Sequence, residues 1–157
     1  IVRMQQNSTS NLQMILRTVP SLMSLPTYAN LIRWALSKTL PIDNGILVWP
    51  AWQRAVLLPE EIKQQVIVDI AAVLEDLPES GNELINQKDP NRIASSLRNE
   101  CNSIINLART RAPDDADVYR KICGERLGQW DRLKRTDLED YSPDLYRFLS
   151  QYGYYYA

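Results

Sequence analysis

The sequence is unusually poor in the residues that perform catalysis and bind metals. Its 157 residues include no histidine, two cysteines and five glycines. Without histidine, the chain lacks both the commonest general base and the commonest zinc ligand. Cys101 and Cys123 are too few for a disulfide framework or a four-cysteine iron–sulfur site, so we expect two reduced, buried thiols.

The usual catalytic and phosphate-binding motifs are also missing. The sequence contains no Cys-x3-Cys-x2-Cys, Gly-x-Gly-x-x-Gly, Walker loop or Gly-x-Ser-x-Gly. Paired carboxylates do occur, but each pair lies where a helix is predicted to begin, and there the helix dipole favours negative charge. These pairs are Glu60/Glu61, Asp114/Asp115 and Glu139/Asp140. The sequence therefore predicts no catalytic residue, metal ligand or cofactor in this chain, and leaves open whether it is part of an enzyme.

Charge and hydropathy narrow the class of partner. The chain has 18 basic and 19 acidic residues, a net charge of -1, whereas nucleic-acid affinity depends mainly on a basic surface. No apolar run approaches the roughly 18 residues of a membrane span. No basic start followed by an apolar stretch and a cleavage site indicates secretion. We therefore expect a soluble, cytoplasmic protein with no nucleic-acid or membrane partner.

The spacing of apolar residues predicts a mainly α fold, with five to seven helices and one or two short strands near the N-terminus. The length suits one domain over residues 1–157. Within it, residues 1–58 form a strand–helix–strand part and residues 59–157 a helical part. Apolar residues at Leu12, Ile15, Leu16 and Val19 recur at helical spacing and predict a first helix that ends at Pro20.

Two segments of the N-terminal part read as strands. Residues 2–5 form a short candidate, and Gly45–Trp49 is a continuous apolar run bounded by Gly and Pro50. Such a run favours a strand of a parallel sheet that is covered on both faces. Trp49 and Trp52 flank this Pro, with Arg54 beside them, and we interpret the two Trp residues either as core or as binding residues.

The helical part is marked by proline and acidic residues at helix starts. Thr136 and Glu139 fit a capping box. Gly124 and Gly128 argue against one straight helix through the segment that follows Pro113. The predicted helix starts are Pro26, Pro59-Glu60-Glu61, Asp89-Pro90, Pro113-Asp114-Asp115 and Ser142-Pro143-Asp144.

A tyrosine cluster ends the chain at Tyr152, Tyr154, Tyr155 and Tyr156. It has three interpretations: it docks on the body of the protein, it packs against a partner, or it is a frayed tail.

Several segments together resemble a known family. They are, in order, Leu-Ile-Arg-Trp at 31–34, Gly-Ile-Leu-Val-Trp-Pro at 45–50, Leu-Leu-Pro-Glu-Glu-Ile-Lys at 57–63, Trp-Asp-Arg-Leu-Lys-Arg at 130–135 and Pro-Asp-Leu at 143–145. This order resembles the C-terminal half of radical S-adenosylmethionine proteins with a twitch-type extension, a group common in phages and environmental sequences. The chain departs from the group in reading Pro-Asp-Leu where the group has Pro-Glu-Leu.

The resemblance implies an accessory piece of a larger enzyme. Because the chain begins with Ile1 and lacks the cluster-binding cysteines, we expect a fragment that is inactive alone and contributes the last strands of a partial α/β barrel. A full-length parent would use S-adenosylmethionine and an iron–sulfur cluster. Barrel sites lie at the carboxyl ends of strands, so the residues implied to face cofactor or substrate are Gln5, Asn7, Ser8, Thr9, Trp49 and Trp52.

A second hypothesis needs no parent enzyme. The chain is then a stand-alone helical interaction module that binds another protein, or a second copy of itself. Its predicted partner-binding residues are the aromatic loop with Arg54 and the tail residues Tyr154, Tyr155 and Tyr156.

Overall fold

The structure, a computed structural model, describes residues 14–77 and 90–154, with the side chains of 90–92 excepted. Within these ranges the protein is mainly helical with two short parallel strands near the N-terminus, so the predicted fold class is confirmed. The described elements, in chain order, are β1 (Leu16–Thr18), α1 (Tyr28–Ser37), β2 (Ile42–Asn44), α2 (Glu60–Asp76), α3 (Pro90–Arg109), α4 (Ala116–Lys134), α5 (Leu138–Tyr141) and α6 (Pro143–Ser150).

The strands form one parallel pair, with Leu16 opposite Ile42 and Thr18 opposite Asn44. Parallel strands need a long connection, usually a helix, and α1 with a short 3-10 turn at Leu25–Thr27 supplies it. Two further 3-10 turns, Ala51–Gln53 and Ala55–Leu57, lead from the sheet to α2. The N-terminal part is therefore a β–α–β unit.

The predicted positions of the first helix and of the strand at Gly45–Trp49 are wrong. Leu16 lies in β1 rather than in a helix, because its N–H donates to the carbonyl of Pro41 (2.9 Å) across the sheet. Strand pairing outweighs the helical spacing of these apolar residues. The second strand is Ile42–Asn44, not Gly45–Trp49, because Ile42 is buried against the helices whereas Trp49 is exposed. The strand predicted at residues 2–5 lies outside the described residues.

Most of the predicted helix starts are confirmed. Pro59 precedes α2, Glu60 and Glu61 occupy its first turn, and Pro143 is the first residue of α6. The capping box is wrong: Asp137 caps α5, accepting a hydrogen bond from the N–H of Glu139 (3.0 Å). The predicted Asp89 cap of α3 lies outside the described residues.

The core lies between α2 and α3 and continues to α4 and α6. Cys101 and Leu97 of α3 and Ile70 of α2 are fully buried in it. Lys63 is also buried, and its Nζ donates to the carbonyl of Thr110 (2.8 Å), which ties α2 to the end of α3. No helix in the described part of the chain is both long and apolar enough to cross a membrane.

Helix α4 is continuous through Gly124 and Gly128, although the sequence predicted that these glycines interrupt it. A Cβ at Gly124 would lie 2.7 Å from the carbonyl oxygen of Tyr152 and 3.0 Å from the nitrogen of Tyr154. Gly124 is therefore needed for the close approach of the C-terminal turn to α4, and does not mark a break in the helix.

Candidate interaction surface

The outer edge of β2 is closed by α3. The carbonyl of Ile42 accepts a hydrogen bond from Ser96 Oγ (3.5 Å), and the N–H of Asn44 donates to the Glu100 carboxylate. Burial raises the pKa of Glu100, with Asp43 adding to the rise and the hydrogen bond from Asn44 opposing it. No further strand can pair at this edge without displacing α3.

Among the described residues, no backbone group pairs with the outer edge of β1. Leu16 and Thr18 direct their backbone groups toward β2, as the bonds from Leu16 N to Pro41 O and from Gly45 N to Thr18 O require. In a parallel ladder the alternate residue, Arg17, directs its N–H and C=O away from the paired strand. Among the described residues, neither backbone group of Arg17 has a hydrogen-bond partner. β1 therefore offers a free template for pairing with another strand.

The two faces of the sheet differ in burial. Thr18 and Asn44 point toward α1, where Tyr28 is buried and hydrogen-bonded to both. Burial raises the pKa of Tyr28, and its hydrogen bond with Thr18 opposes the rise. The Asn44 Nδ2 group is buried here and has no hydrogen-bond partner in the part of the chain that the structure describes. Because the atom is inaccessible, we interpret this network as structural support for the strand ends.

The opposite face is exposed. Ile15 and Val19 are 58% and 47% exposed. Between them, Arg17 donates from Nε (3.0 Å) and Nη2 (2.7 Å) to Asp43 Oδ2 on β2. Parallel strands are normally covered on both faces, but no element of the described residues covers this face or the outer edge of β1.

An apolar loop continues from this face. Gly45 lies against Val19, because a Cβ added at Gly45 would lie 3.4 Å from Val19 Cγ2. The next residues leave the sheet, and Ile46, Val48 and Trp49 are 88%, 73% and 81% exposed. We call the set Ile15, Arg17, Val19, Ile46, Val48 and Trp49 the edge surface. Exposed apolar side chains on adjoining segments are typical of interaction sites.

The two loop tryptophans have different environments. Trp49, which the structure exposes, is joined to Pro50 by a cis peptide bond. Trp52 packs against the core and makes an edge-to-face contact with Trp130 of α4, with 6.2 Å between ring centroids. The interpretation as a core residue is therefore wrong for Trp49, whereas it describes Trp52 better than the interpretation as a binding residue. Arg54 is half-buried and forms an isolated antiparallel bridge with Ser21.

Tyr154 docks on the body of the protein. It is 2% exposed, and its hydroxyl donates to Asp131 Oδ2 (2.5 Å) and accepts from the N–H of Leu138 (3.2 Å). Burial, followed by the hydrogen bond with Asp131, raises the pKa of Tyr154. We therefore leave Tyr154 out of the edge surface. The other predicted tail residues, Tyr155 and Tyr156, lie outside the described residues.

The residues expected to face a cofactor are not assembled into a described site. Gln5, Asn7, Ser8 and Thr9 lie outside the described residues. Trp49 and Trp52 follow β2 by five and eight positions rather than ending it, and they diverge in burial.

The two thiols are poorly suited to catalysis. Burial raises the pKa of Cys101 to about 11 and that of Cys123 to about 12, whereas reactive cysteines have lowered pKa values. Within residues 14–77 and 90–154 there is also no cluster of three or more His, Cys, Asp or Glu side chains placed to hold a metal ion.

A groove of about 690 Å³ lies between α2, α4 and α6. Its Arg120 is already engaged: Nε donates to the carbonyl of Leu57 (2.9 Å) and Nη1 to Asp117 (2.8 Å). The guanidinium also lies over the rings of Phe148 and Tyr152. The hydrogen bond from Arg120 holds the pKa of Asp117 below its usual value. We interpret this cluster as a brace between α4 and α6.

Sequence reasoning missed Ile15, Arg17 and Val19 as surface residues. The signal was available, because exposed and half-buried residues alternate from Ile15 to Val19, which is the period of a strand. The same residues also fit a helical spacing, and five positions are too few to separate the two periods. Comparison with protein families, with characterised proteins and with solved structures found no match to this chain.

Proposed function

We propose that this chain is a protein-interaction module and that the edge surface is its binding site. The observation that carries the proposal is the asymmetry of the two-stranded sheet. α3 occupies the outer edge of β2, whereas the outer edge of β1 has backbone groups without a partner in the described part of the chain, next to exposed apolar side chains. Strand addition at such an edge is a common mode of protein recognition.

Energetics support the same assignment. A two-stranded sheet gains little stability alone, and exposed edges favour unwanted pairing unless something covers them. Charged residues that oppose such pairing are sparse here, because Arg17 is the one charged residue of β1. A bound partner strand would bury Ile15 and Val19 and satisfy the backbone of Arg17.

Site-specific photocrosslinking tests the proposal. A benzoylphenylalanine replaces Ile15 or Trp49, with Val118 of α4 as the matched control, since Val118 is 60% exposed but lies on another element. We expect Ile15 and Trp49 to capture the same protein from a lysate of the source organism, and Val118 not to capture it. The captured protein is then purified and titrated against the wild type and against an Ile15→Lys/Val19→Lys variant.

We expect the double lysine variant to bind the purified partner about tenfold more weakly, because two apolar contacts are lost and the edge becomes charged. Unchanged affinity in a folded variant, or equal capture from all three positions, contradicts the proposal.

A second proposal retains the radical S-adenosylmethionine resemblance, in which this chain is the accessory C-terminal portion of a larger enzyme. The parallel β–α–β unit favours it, because one of its edges is unpaired among residues 14–77 and 90–154, and further strands of a partial barrel would add at that edge. Sequencing the source DNA upstream of the codon for Ile1 tests it. A continuous frame with Cys-x3-Cys-x2-Cys supports this proposal, and a stop codon followed closely by a start codon opposes it.

A further inference from the structure

The side chains of the edge surface favour particular side chains in a bound strand. This inference rests on the proposed function and adds the chemistry of the bound strand. A strand that pairs at the β1 edge presents alternate side chains on the exposed face, beside Ile15, Arg17 and Val19. Cross-strand neighbours of this kind contribute to sheet stability according to their chemical match.

The three positions have distinct preferences. Ile15 and Val19 favour apolar neighbours, and Arg17 favours a carboxylate. The Arg17 side chain is 81% exposed, and its hydrogen bonds to Asp43 use Nε and Nη2 only. Nη1 has no partner among the described residues, so it remains available to a second carboxylate.

We infer that the partner is an extended segment of another protein in which an acidic residue is flanked, two positions away on each side, by apolar residues. The apolar–x–acidic–x–apolar pattern reads the same in both directions. It therefore satisfies Ile15, Arg17 and Val19 whether the added strand runs parallel or antiparallel to β1.

A second copy of this chain fits less well. Antiparallel pairing of two β1 strands with Ile15 opposite Val19 of the other copy places the two Arg17 residues directly opposite, with Cα atoms about 5.5 Å apart. Like charges in that position are destabilising. Residues 1–13 of the chain contain no Asp or Glu, so they do not carry the pattern either.

Peptide titration tests this inference. The probe is the capped peptide Thr-Val-Thr-Glu-Thr-Val-Thr, and the matched control replaces its Glu with Lys. Both are titrated into ¹⁵N-labelled protein, and binding is followed at the amides of Ile15, Arg17 and Val19. We expect the Glu peptide to bind about three- to tenfold more tightly than the Lys peptide, as expected for opposite against like charges across a strand pair.

Two variants test whether the peptide preference depends on the charge at position 17 or on the overall charge of the protein. Arg17→Glu/Asp43→Arg reverses the ion pair but keeps it, and we expect it to prefer the Lys peptide. Arg33→Glu reverses an exposed charge on α1, and we expect it to leave the preference for the Glu peptide unchanged.

Each contrary outcome has a distinct meaning. Equal binding of both peptides at these amides overturns the acidic pattern and leaves the proposed strand addition intact. No shift at these amides with either peptide, in a protein with a dispersed spectrum, overturns the inference, while the crosslinking experiment still decides the proposed function. Concentration-dependent shifts at the same amides without peptide assign the edge to a second copy and also overturn the inference.

Discussion

At the scale of single residues, burial distinguishes side chains that look alike in the sequence. Trp49 and Trp52 are three positions apart, yet one is exposed and the other packs against Trp130. Tyr154 is in the core although it belongs to an aromatic tail that also favoured exposure. Residue type alone does not show which aromatic side chain is buried, because burial of an aromatic ring is favourable wherever a neighbouring element covers it.

The two tryptophans give a direct test of this difference. We expect Trp49→Ser to change the free energy of unfolding by less than about 0.5 kcal/mol, since exposed side chains contribute little. Trp52→Ala removes a ring from the core boundary, and we expect a loss of about 2 kcal/mol or more. Urea unfolding followed by far-ultraviolet circular dichroism measures both, and equal losses contradict the assignment of Trp49 to the surface.

The hydroxyl of Tyr154 gives a second test. Tyr154→Phe leaves the N–H of Leu138 and one oxygen of Asp131 without their partner. We expect a loss of about 1–3 kcal/mol, as for other buried polar groups that lose a hydrogen bond. Tyr119→Phe is the control, because the Tyr119 hydroxyl has no hydrogen bond among the described residues. A similar loss in both variants argues against a specific role for the Tyr154 hydroxyl.

At the scale of elements, helices were more predictable than strands. The starts of α2 and α6 follow from Pro59 and Pro143, whose fixed φ and missing N–H suit a first turn in any tertiary context. The strands are three residues long, and their positions depend on the backbone partner available at Pro41 and Gly45. The candidate surface could not be located from the sequence for the same reason, since it is defined by the edge of β1 that no described element pairs with.

Gly124 tests the packing between α4 and the C-terminal turn. An alanine there is favoured by helix propensity by about 1 kcal/mol. Its Cβ nevertheless meets backbone atoms of Tyr152 and Tyr154 at 2.7 and 3.0 Å. We expect Gly124→Ala to destabilise the protein by about 1–3 kcal/mol net. Thermal unfolding measures the effect.

Gly45→Ala is the control for Gly124→Ala, because its Cβ meets only Val19 Cγ2 at 3.4 Å and the Thr18 carbonyl oxygen at 3.7 Å. A Gly124→Ala variant as stable as the wild type contradicts the close approach.

At the scale of the whole molecule, one continuous core shields both thiols. Cys101 is in α3 and Cys123 in α4, and both are completely buried. The sequence predicted buried, reduced thiols, and the structure confirms their burial and their free state. Their reactivity therefore reports on opening of the whole fold rather than on a local event.

Thiol labelling tests this shielding. At pH 8 we expect a disulfide reagent to modify neither cysteine of the folded protein within minutes and both cysteines in denaturant, since the thiol is buried and its pKa is raised. Rapid modification of one cysteine in the folded state indicates that the helix carrying it opens independently.

The raised thiol pKa values also predict the response to alkali. The thiol pKa is 9.0 in the unfolded chain, and in the folded protein it is about 11 for Cys101 and about 12 for Cys123. At a pH between these values, the folded protein keeps thiol protons that the unfolded chain releases. The free energy of unfolding therefore falls as the pH rises above about 9. Urea unfolding at several pH values measures the decline. We expect it to be smaller in a Cys101→Val/Cys123→Val variant, and an identical decline contradicts the contribution of the thiols.

The sequence by itself determined the helical class, the helix starts at prolines and the burial of the two cysteines, because these features depend on local backbone chemistry and on hydropathy. Only the tertiary structure decided which residues pair as strands, which tryptophan is exposed and which edge of the sheet is covered by a helix. The physical reason is that these properties depend on neighbours distant in the chain: α3 covers the edge of β2, and no described element covers the edge of β1.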